Sequence, residues 1–399
     1  MALRLKLRLI RTFVITTSGL IVYTIADKFY EPVLKPALQL LDPETAHDLA
    51  IFAAKHGLVP KDKGKDWSGL SCEVWGRQFQ NPIGLAAGFD KHGECVDAML
   101  STGFGFVEVG SVTPEPQDGN PKPRIFRLEK DRAVINRCGF NSVGSFLVSE
   151  RLRKRLSDVR KAQPGVVGVN LGKNRDTQDA KLDYEKGVVA FADIADYLVI
   201  NVSSPNTPNL RNLQQKNQLV DLLEHVIAVR DATLKERSPN GRPPILVKIS
   251  PDLSDEELKD IVDACMQLSI DGIVISNTTV QRPPDLLEKK VAEEKGGLSG
   301  PPLNKISNAL IQKVYKMTDG RLVIVGVGGV SSAEDAYDKI RAGASLIELY
   351  TALAYEGPGL VRKIKLGLSE LLQRDGFQSV QEAVGKDVIL STVPYGMRN

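Results

Sequence analysis

Short apolar runs separated by amphipathic stretches organise most of this chain. The runs lie at 83–87, 104–109, 166–171, 197–202, 245–249, 272–276, 322–327 and 346–349. Most are continuously apolar rather than alternating, the pattern of strands buried on both faces of a parallel sheet. Between several of them, 219–235, 255–268 and 304–317 repeat apolar residues at helical spacing. Strand and helix in alternation imply parallel pairing, and eight such units predict closure into a (β/α)8, or TIM, barrel. An open doubly wound sheet is the alternative on pattern alone. One stretch interrupts the repeat. After a loop at 114–123, residues 124–128 and 133–136 alternate about Glu129-Lys130-Asp131-Arg132, which predicts a hairpin laid over the barrel mouth.

Upstream, the pattern predicts a small helical domain. One short helix is expected around 29–41 and a second is opened by Asp42-Pro43-Glu44, with Asp42 as N-cap and Pro43 first in the helix. The lysine-rich stretch 61–65 reads as a linker. Residues 1–11 carry Arg4, Lys6, Arg8 and Arg11 and no acid, as organelle-targeting segments do. Residues 12–26 are uncharged but short of the roughly 20 that a perpendicular bilayer span needs. Snorkelling of Arg8 and Arg11 and an interfacial Tyr23 would extend that run. No small-x-small cleavage site precedes Asp27, so a single retained N-terminal membrane anchor is favoured over a cleaved signal. The chain thus divides into a targeting segment and anchor (1–28), a helical domain (29–65) and a barrel (66–399).

Composition narrows the class. The chain is 42% hydrophobic and 25% charged, enough for a sizeable core. A net charge of +3 is too small for a nucleic-acid surface. Cys72, Cys95, Cys138 and Cys265 show no paired spacing and the four histidines are scattered, so neither a metal site nor a disulfide framework is expected.

Candidate chemistry gathers at the carboxyl ends of the runs. In order these carry Ala86-Ala87-Gly88 with Lys91, then Gly110-Ser111, Asn170, Asn201 with Ser203-Ser204, Lys248, Asn277-Thr278, Gly328-Gly329 and Tyr350-Thr351. Barrel enzymes build their active sites on that face. The glycines of 326–329 and the turn at Tyr350-Thr351 stand where barrels commonly hold phosphate through backbone N–H groups. Gly296-Gly297-Leu298-Ser299-Gly300 offers another flexible, N–H-rich loop. Asn136, Asn201, Asn206 and Asn277 suit a planar ligand edged with N–H and C=O groups, such as a pyrimidine ring. Lys91 and Lys248 fall inside the mouth, where a buried ammonium needs an anionic partner. Two other readings use the same residues: an aldolase-like barrel with Lys248 as Schiff-base nucleophile, and a membrane-tethered ligand-binding barrel without catalysis.

Five motifs carry a resemblance. Gly88-Phe89-Asp90-Lys91, Gly110-Ser111-Val112-Thr113-Pro114, Asn136-Arg137-Cys138-Gly139-Phe140-Asn141, Asn201-Val202-Ser203-Ser204-Pro205-Asn206-Thr207 and Gly326-Val327-Gly328-Gly329 resemble class 2, quinone-dependent dihydroorotate dehydrogenases. The likeness runs from about residue 29 to the end. It implies a flavoprotein that oxidises (S)-dihydroorotate to orotate in pyrimidine biosynthesis. FMN would sit at the carboxyl face and ubiquinone would accept the electrons. It also implies the mitochondrial inner membrane, contact with its lipid, and a single-pass anchor with the barrel in the intermembrane space. Carried over residue by residue, Ala86, Ala87, Ser111, Asn170, Asn201, Lys248, Ser276, Gly300, Gly328, Gly329, Tyr350 and Thr351 would hold FMN. Lys91, Asn136, Arg137, Cys138, Gly139, Phe140, Asn201, Asn206, Asn277 and Thr278 would surround the substrate. Ser204 is the implied base, with Thr207 and Phe140 beside it. His47, Arg127 and Tyr350 resemble the polar residues of a quinone tunnel. Class 1 enzymes carry cysteine where this chain has Ser204, so the serine favours the quinone-linked class. Cys138 departs from the larger residue often found there and is expected to shape the pocket rather than to act as a nucleophile.

Overall fold

A computed structural model describes residues 34–158, 164–234 and 241–390. The eight apolar runs are eight parallel strands: β1 Ile83–Leu85, β2 Phe106–Val112, β3 Val166–Leu171, β4 Tyr197–Asn201, β5 Ile245–Ile249, β6 Gly272–Ile275, β7 Val323–Val327 and β8 Leu346–Leu349. They pair in sequence order, and β8 returns to β1 with Ile347 opposite Ile83. The sheet therefore closes, which excludes the open doubly wound alternative. Every residue of β3, β4 and β5 is buried, because the strands are covered by side chains inside and helices outside. The expected helices form at Lys216–Thr233, Asp255–Gln267 and Asn304–Met317. Asp255–Gln267 begins with a reciprocal capping box between Ser254 and Glu257, which fixes its start.

The bottom of the barrel is plugged. Strands Cys72–Val74 and Arg77–Phe79 form a small hairpin, absent from the sequence reading. Its Trp75 and Phe79 rings pack edge to face and tilted against Phe106 and Tyr197, which fill the interior. Gly84 is needed there, since a Cβ on it would strike the Phe106 ring at 2.2 Å. Only the carboxyl face remains open.

Three strands cover that face. Ile125–Leu128 and Ala133–Asn136 form the predicted hairpin, and Gly297–Ser299 joins it antiparallel with Gly297 opposite Asn136. The segment expected to be a flexible loop, 296–300, is thus mostly a strand. The correction has a physical reason: without a side chain, Gly296 lets the chain pass the Asn136 carbonyl, which a Cβ would approach to 2.3 Å.

Beside the mouth stand α1 (Lys35–Gln39) and α2 (Pro43–Lys55). Asp42 caps α2 by accepting the N–H groups of Glu44 and Thr45, both at 3.0 Å. The pair is fastened to the mouth sheet by Glu44 and Arg124, 2.6 Å apart and both buried. Arg127 donates to the carbonyls of Gln39 and Leu41, closing the exposed end of α1. The linker 61–65 has no regular element, yet Asp62 within it binds Lys365 at 2.8 Å. It is docked against the barrel rather than free. The anchor (1–28) and the start of the expected first helix lie outside the described residues, among which no helix is long and apolar enough to cross a membrane.

Candidate active site

A cavity of about 840 Å3 runs from between α1 and α2 into the barrel mouth. One end is polar and built from strand termini; the other is apolar and built from the helical pair. The hairpin strands roof both.

At the polar end the backbone and amide groups lock one another. Asn201 ends β4 and donates to Ser111 Oγ at 2.9 Å and to Asn170 Oδ1 at 3.0 Å. Its own Oδ1 accepts from Ser203 Oγ at 2.9 Å, and Asn277 Nδ2 donates to that Ser203 hydroxyl at 2.9 Å. Asn206 Nδ2 reaches Asn136 Oδ1 at 3.2 Å. Five amides from four segments, with Asn201 and Asn206 on the same strand end and loop, are therefore oriented before any ligand arrives, which is what positioning a planar substrate requires. Ser204 follows β4 and lines the cavity. Its Oγ accepts the Asn206 N–H at 3.3 Å, and its proton has no acceptor among the described residues. Three residues on, Thr207 Oγ1 is buried without a partner among the described residues. Arg211 holds this loop in place by donating to Ser203 O and Thr278 O while pairing with Asp252 at 2.9 Å. The loop after β1 is equally fixed: Asp90 accepts the N–H groups of Glu94 and Cys95 at 2.9 Å each. Lys91, one residue beyond Asp90, lines the cavity.

Beneath this layer lies a charge cluster inside the barrel. Lys248 Nζ sits 3.2 Å from Glu108 and 3.8 Å from Glu348, whose side chains are 0% exposed. Burial disfavours the ammonium, but the two carboxylates outweigh that and hold its pKa above the ordinary value. A lysine and two ionised glutamates would leave one negative charge in the core, at a solvation cost of several kcal/mol. Burial and then Glu108 push the Glu348 carboxyl well above its usual range, which favours its protonated form and relieves that excess charge. An ammonium paired in this way is a poor nucleophile, which argues against the Schiff-base reading.

The apolar end carries Leu38, Ala46, Ala50, Ala53 and Val59, with His47 and Arg127 as its polar spots. His47 Nδ1 lies 3.3 Å from the Tyr350 hydroxyl and its ring meets Phe89 edge to face. Burial, with help from Lys91 and His92, lowers its pKa to about 3, so the ring is neutral at physiological pH.

Most of the expected residues converge. Ala86, Ala87, Ser111, Asn201, Lys248, Ser276, Gly300, Gly328, Gly329, Tyr350 and Thr351 line the cavity, as do Asn136, Cys138, Gly139, Phe140, Asn206, Asn277 and Thr278. Two do not. Asn170 stands one layer back, donating to Glu108 at 2.8 Å and accepting from Asn201. Arg137 turns outward, pairing with Glu294 at 2.6 Å and stacking over Phe126. Burial raises the Cys138 thiol pKa, which keeps it a thiol at neutral pH, consistent with a shaping role. Glu108 and Glu348 were missed. The signal was present: each is the single charged residue of its strand, and barrel strands must turn alternate side chains inward.

A closed parallel barrel whose carboxyl face gathers pre-oriented amides, a paired lysine and glycine turns around one cavity is a barrel enzyme. The comparisons specify which. The profile of the family described as dihydroorotate dehydrogenase matches residues 69–372. The chain is 54% identical over 374 residues to the mitochondrial dihydroorotate dehydrogenase (quinone) of Oryza sativa, covering 89% of this chain and 79% of that one. It is 51% identical over 364 residues to the mitochondrial enzyme of that name from Mus musculus, covering 90% and 91%. For the Parvibaculum lavamentivorans dihydroorotate dehydrogenase (quinone), identity is 50% over 359 residues, with 90% and 99% covered. The crystal structure of Eimeria tenella DHODH in complex with ferulenol superposes with a TM-score of 0.82 at 45% identity, covering 87% of this chain and 96% of that one. The chain belongs to the dihydroorotate dehydrogenase family.

Proposed function

We propose that the protein oxidises dihydroorotate to orotate for pyrimidine synthesis, with Ser204 as the base and FMN as resident cofactor, and passes the electrons to ubiquinone. The observation that carries this reading is the single cavity with two unlike ends: a Ser204 hydroxyl among oriented amides at one, an apolar passage between α1 and α2 at the other. The quinone-named relatives support the acceptor, and the mitochondrial names of the rice and mouse relatives support the compartment. The uncharged run 12–26 supports attachment to the inner membrane, and the family resemblance alone implies a barrel facing the intermembrane space.

The residues present fit FMN. The N–H groups of Gly329 and Val330 have no partner among the described residues and border the cavity, forming a turn suited to a phosphate. Gly329 has φ +75°, and a Cβ on it would come within 2.5 Å of the Asn304 nitrogen, so the backbone itself is the binding surface. Lys248 supplies a cation suited to the negative charge of a reduced flavin. Bound FMN would supply the two-electron hydride acceptor.

Oxidation removes a proton from one ring carbon and a hydride from its neighbour, leaving a C=C bond. Asn136, Asn206 and Asn277 hold the ring edges, and Ser204 Oγ takes the proton. A serine is a weak base by its free pKa, so the hairpin roof over the cavity and a proton exit matter. The family resemblance implies Thr207 beside Ser204, and its buried hydroxyl, without a partner among the described residues, is the group available to pass that proton outward. The test is an assay of dihydroorotate oxidation with ubiquinone, fumarate and NAD offered in parallel. Yellow protein bleached by dihydroorotate and reoxidised by ubiquinone alone is the expected result. Colourless protein, or turnover with fumarate or NAD instead, would overturn the reading.

A further inference from the structure

Behind the Gly328-Gly329 turn lies a cation that the proposed reaction does not use. Lys339 belongs to helix Ala333–Ala342 and is wholly buried. Its Nζ donates to Ser307 Oγ at 2.5 Å and Asn308 Oδ1 at 2.7 Å, both neutral. No carboxylate lies within ion-pair reach of it among the described residues. A buried ammonium held only by neutral acceptors is costly unless a negative charge comes near. Burial drags its pKa down to about 7, with Asp335 and Asp338 only partly offsetting.

The hydrogen bonds show where that charge would lie. Ser307 Oγ lies 3.0 Å from both Gly328 O and Asn304 O, and its hydroxyl donates toward them. Asn304 Nδ2 donates to Gly329 O at 3.0 Å and is itself held by Asp335 at 3.0 Å. In a trans peptide the C=O and the following N–H point opposite ways. Fixing the carbonyls of Gly328 and Gly329 on the helix side therefore aims the N–H groups of Gly329 and Val330 the other way, away from the helix. The polarity of the chain Lys339, Ser307, Gly328 C=O also strengthens the donor at its far end.

We propose that Lys339, acting through Ser307, is a positioning residue that orients and charges the Gly328–Val330 turn for a phosphate dianion and so selects phosphorylated flavin over its neutral nucleoside. The inference rests on the FMN reading above. The alternative is a lysine that merely ties two helices together.

The test uses the flavin-loaded enzyme equilibrated with mixtures of FMN and riboflavin, the bound ratio being read by chromatography of the released flavin. The parent chain is expected to prefer FMN strongly. Lys339→Met should shift the exchange ratio toward riboflavin by about tenfold or more, since a charge within roughly 10 Å of a phosphate in a protein interior is worth that much. Ser307→Ala should shift it the same way by less, and it serves as the test if the lysine variant does not fold. Variants that lose both flavins equally, with the ratio unchanged, would show a purely structural lysine and overturn the proposal. A parent chain that binds FMN and riboflavin alike would instead overturn the phosphate assignment of the turn, and the role of Lys339 with it.

Discussion

The two ends of the cavity differ in almost every physical respect. The polar end is rigid: its amides are tied to one another and to strand termini, and its buried Lys248 is paired at depth with Glu108. The apolar end is formed by two short helices whose Leu34, Leu40, Leu49 and Phe52 remain exposed, and it meets the barrel through a few polar ties such as Glu44 to Arg124. A site that must hold one small polar ring in a fixed pose needs the first kind of wall. A passage for a long apolar acceptor needs only shape, dryness and an opening toward lipid. The difference implies that the two half-reactions can be damaged separately.

The largest effect is expected at the polar end. Ser204→Ala should slow bleaching of the flavin by dihydroorotate about 10²- to 10⁴-fold, the usual worth of a positioned base, while the purified protein stays yellow. Rapid anaerobic mixing checks this. At the apolar end, Ala50→Trp fills the passage beside His47 and should reduce ubiquinone-dependent reoxidation by roughly tenfold or more. Bleaching by dihydroorotate should be unchanged, and equal loss of both steps would erase the distinction between the two ends. A smaller effect is expected for His47→Asn: a few-fold rise in the quinone KM with no change in the shape of the pH profile. The imidazole is already neutral, with its pKa lowered to about 3, so it contributes no titration between about pH 5 and 8. A profile whose limb disappears in the variant would contradict that.

The smallest effect concerns stability. The folded-state pKa of Glu348 is raised above its ordinary value of 4.5, so the fold retains a proton that the unfolded chain releases. The contribution of this group is therefore fully present below about pH 4.5 and declines as pH rises toward the folded-state value. Glu348→Gln removes that slope. Thermal melts should show the variant gaining on the parent as pH increases, and a constant offset would refute the retained proton.

Much of the fold was legible because parallel barrel strands must be apolar on both faces, which marks each run in the sequence. The site was legible where a strand end carries an unmistakable polar side chain, as at Asn201, Lys248 and Asn277. Four things were hidden. The Gly297–Ser299 strand looks like a flexible loop, because its pairing with Ala133–Asn136 depends on a contact distant in sequence. Arg137 sits between two cavity residues, yet Glu294 and the Phe126 ring draw it outward. Glu108 and Glu348 lie inside the apolar runs used to define the strands, so the pattern that reveals the barrel also conceals the charges within it. The bottom hairpin at 72–79 is too short for any periodicity to mark.

In the proposed mechanism Ser204 removes the substrate proton at the polar end, while the apolar end serves only reoxidation. The most direct measurement is anaerobic stopped-flow recording of the flavin in Ser204→Ala. Dihydroorotate is mixed in first, and ubiquinone is then added to protein reduced chemically. Bleaching slowed by about 10²-fold or more, with reoxidation at the rate of the parent chain, is the expected result. Bleaching at the parental rate with flavin bound would contradict it.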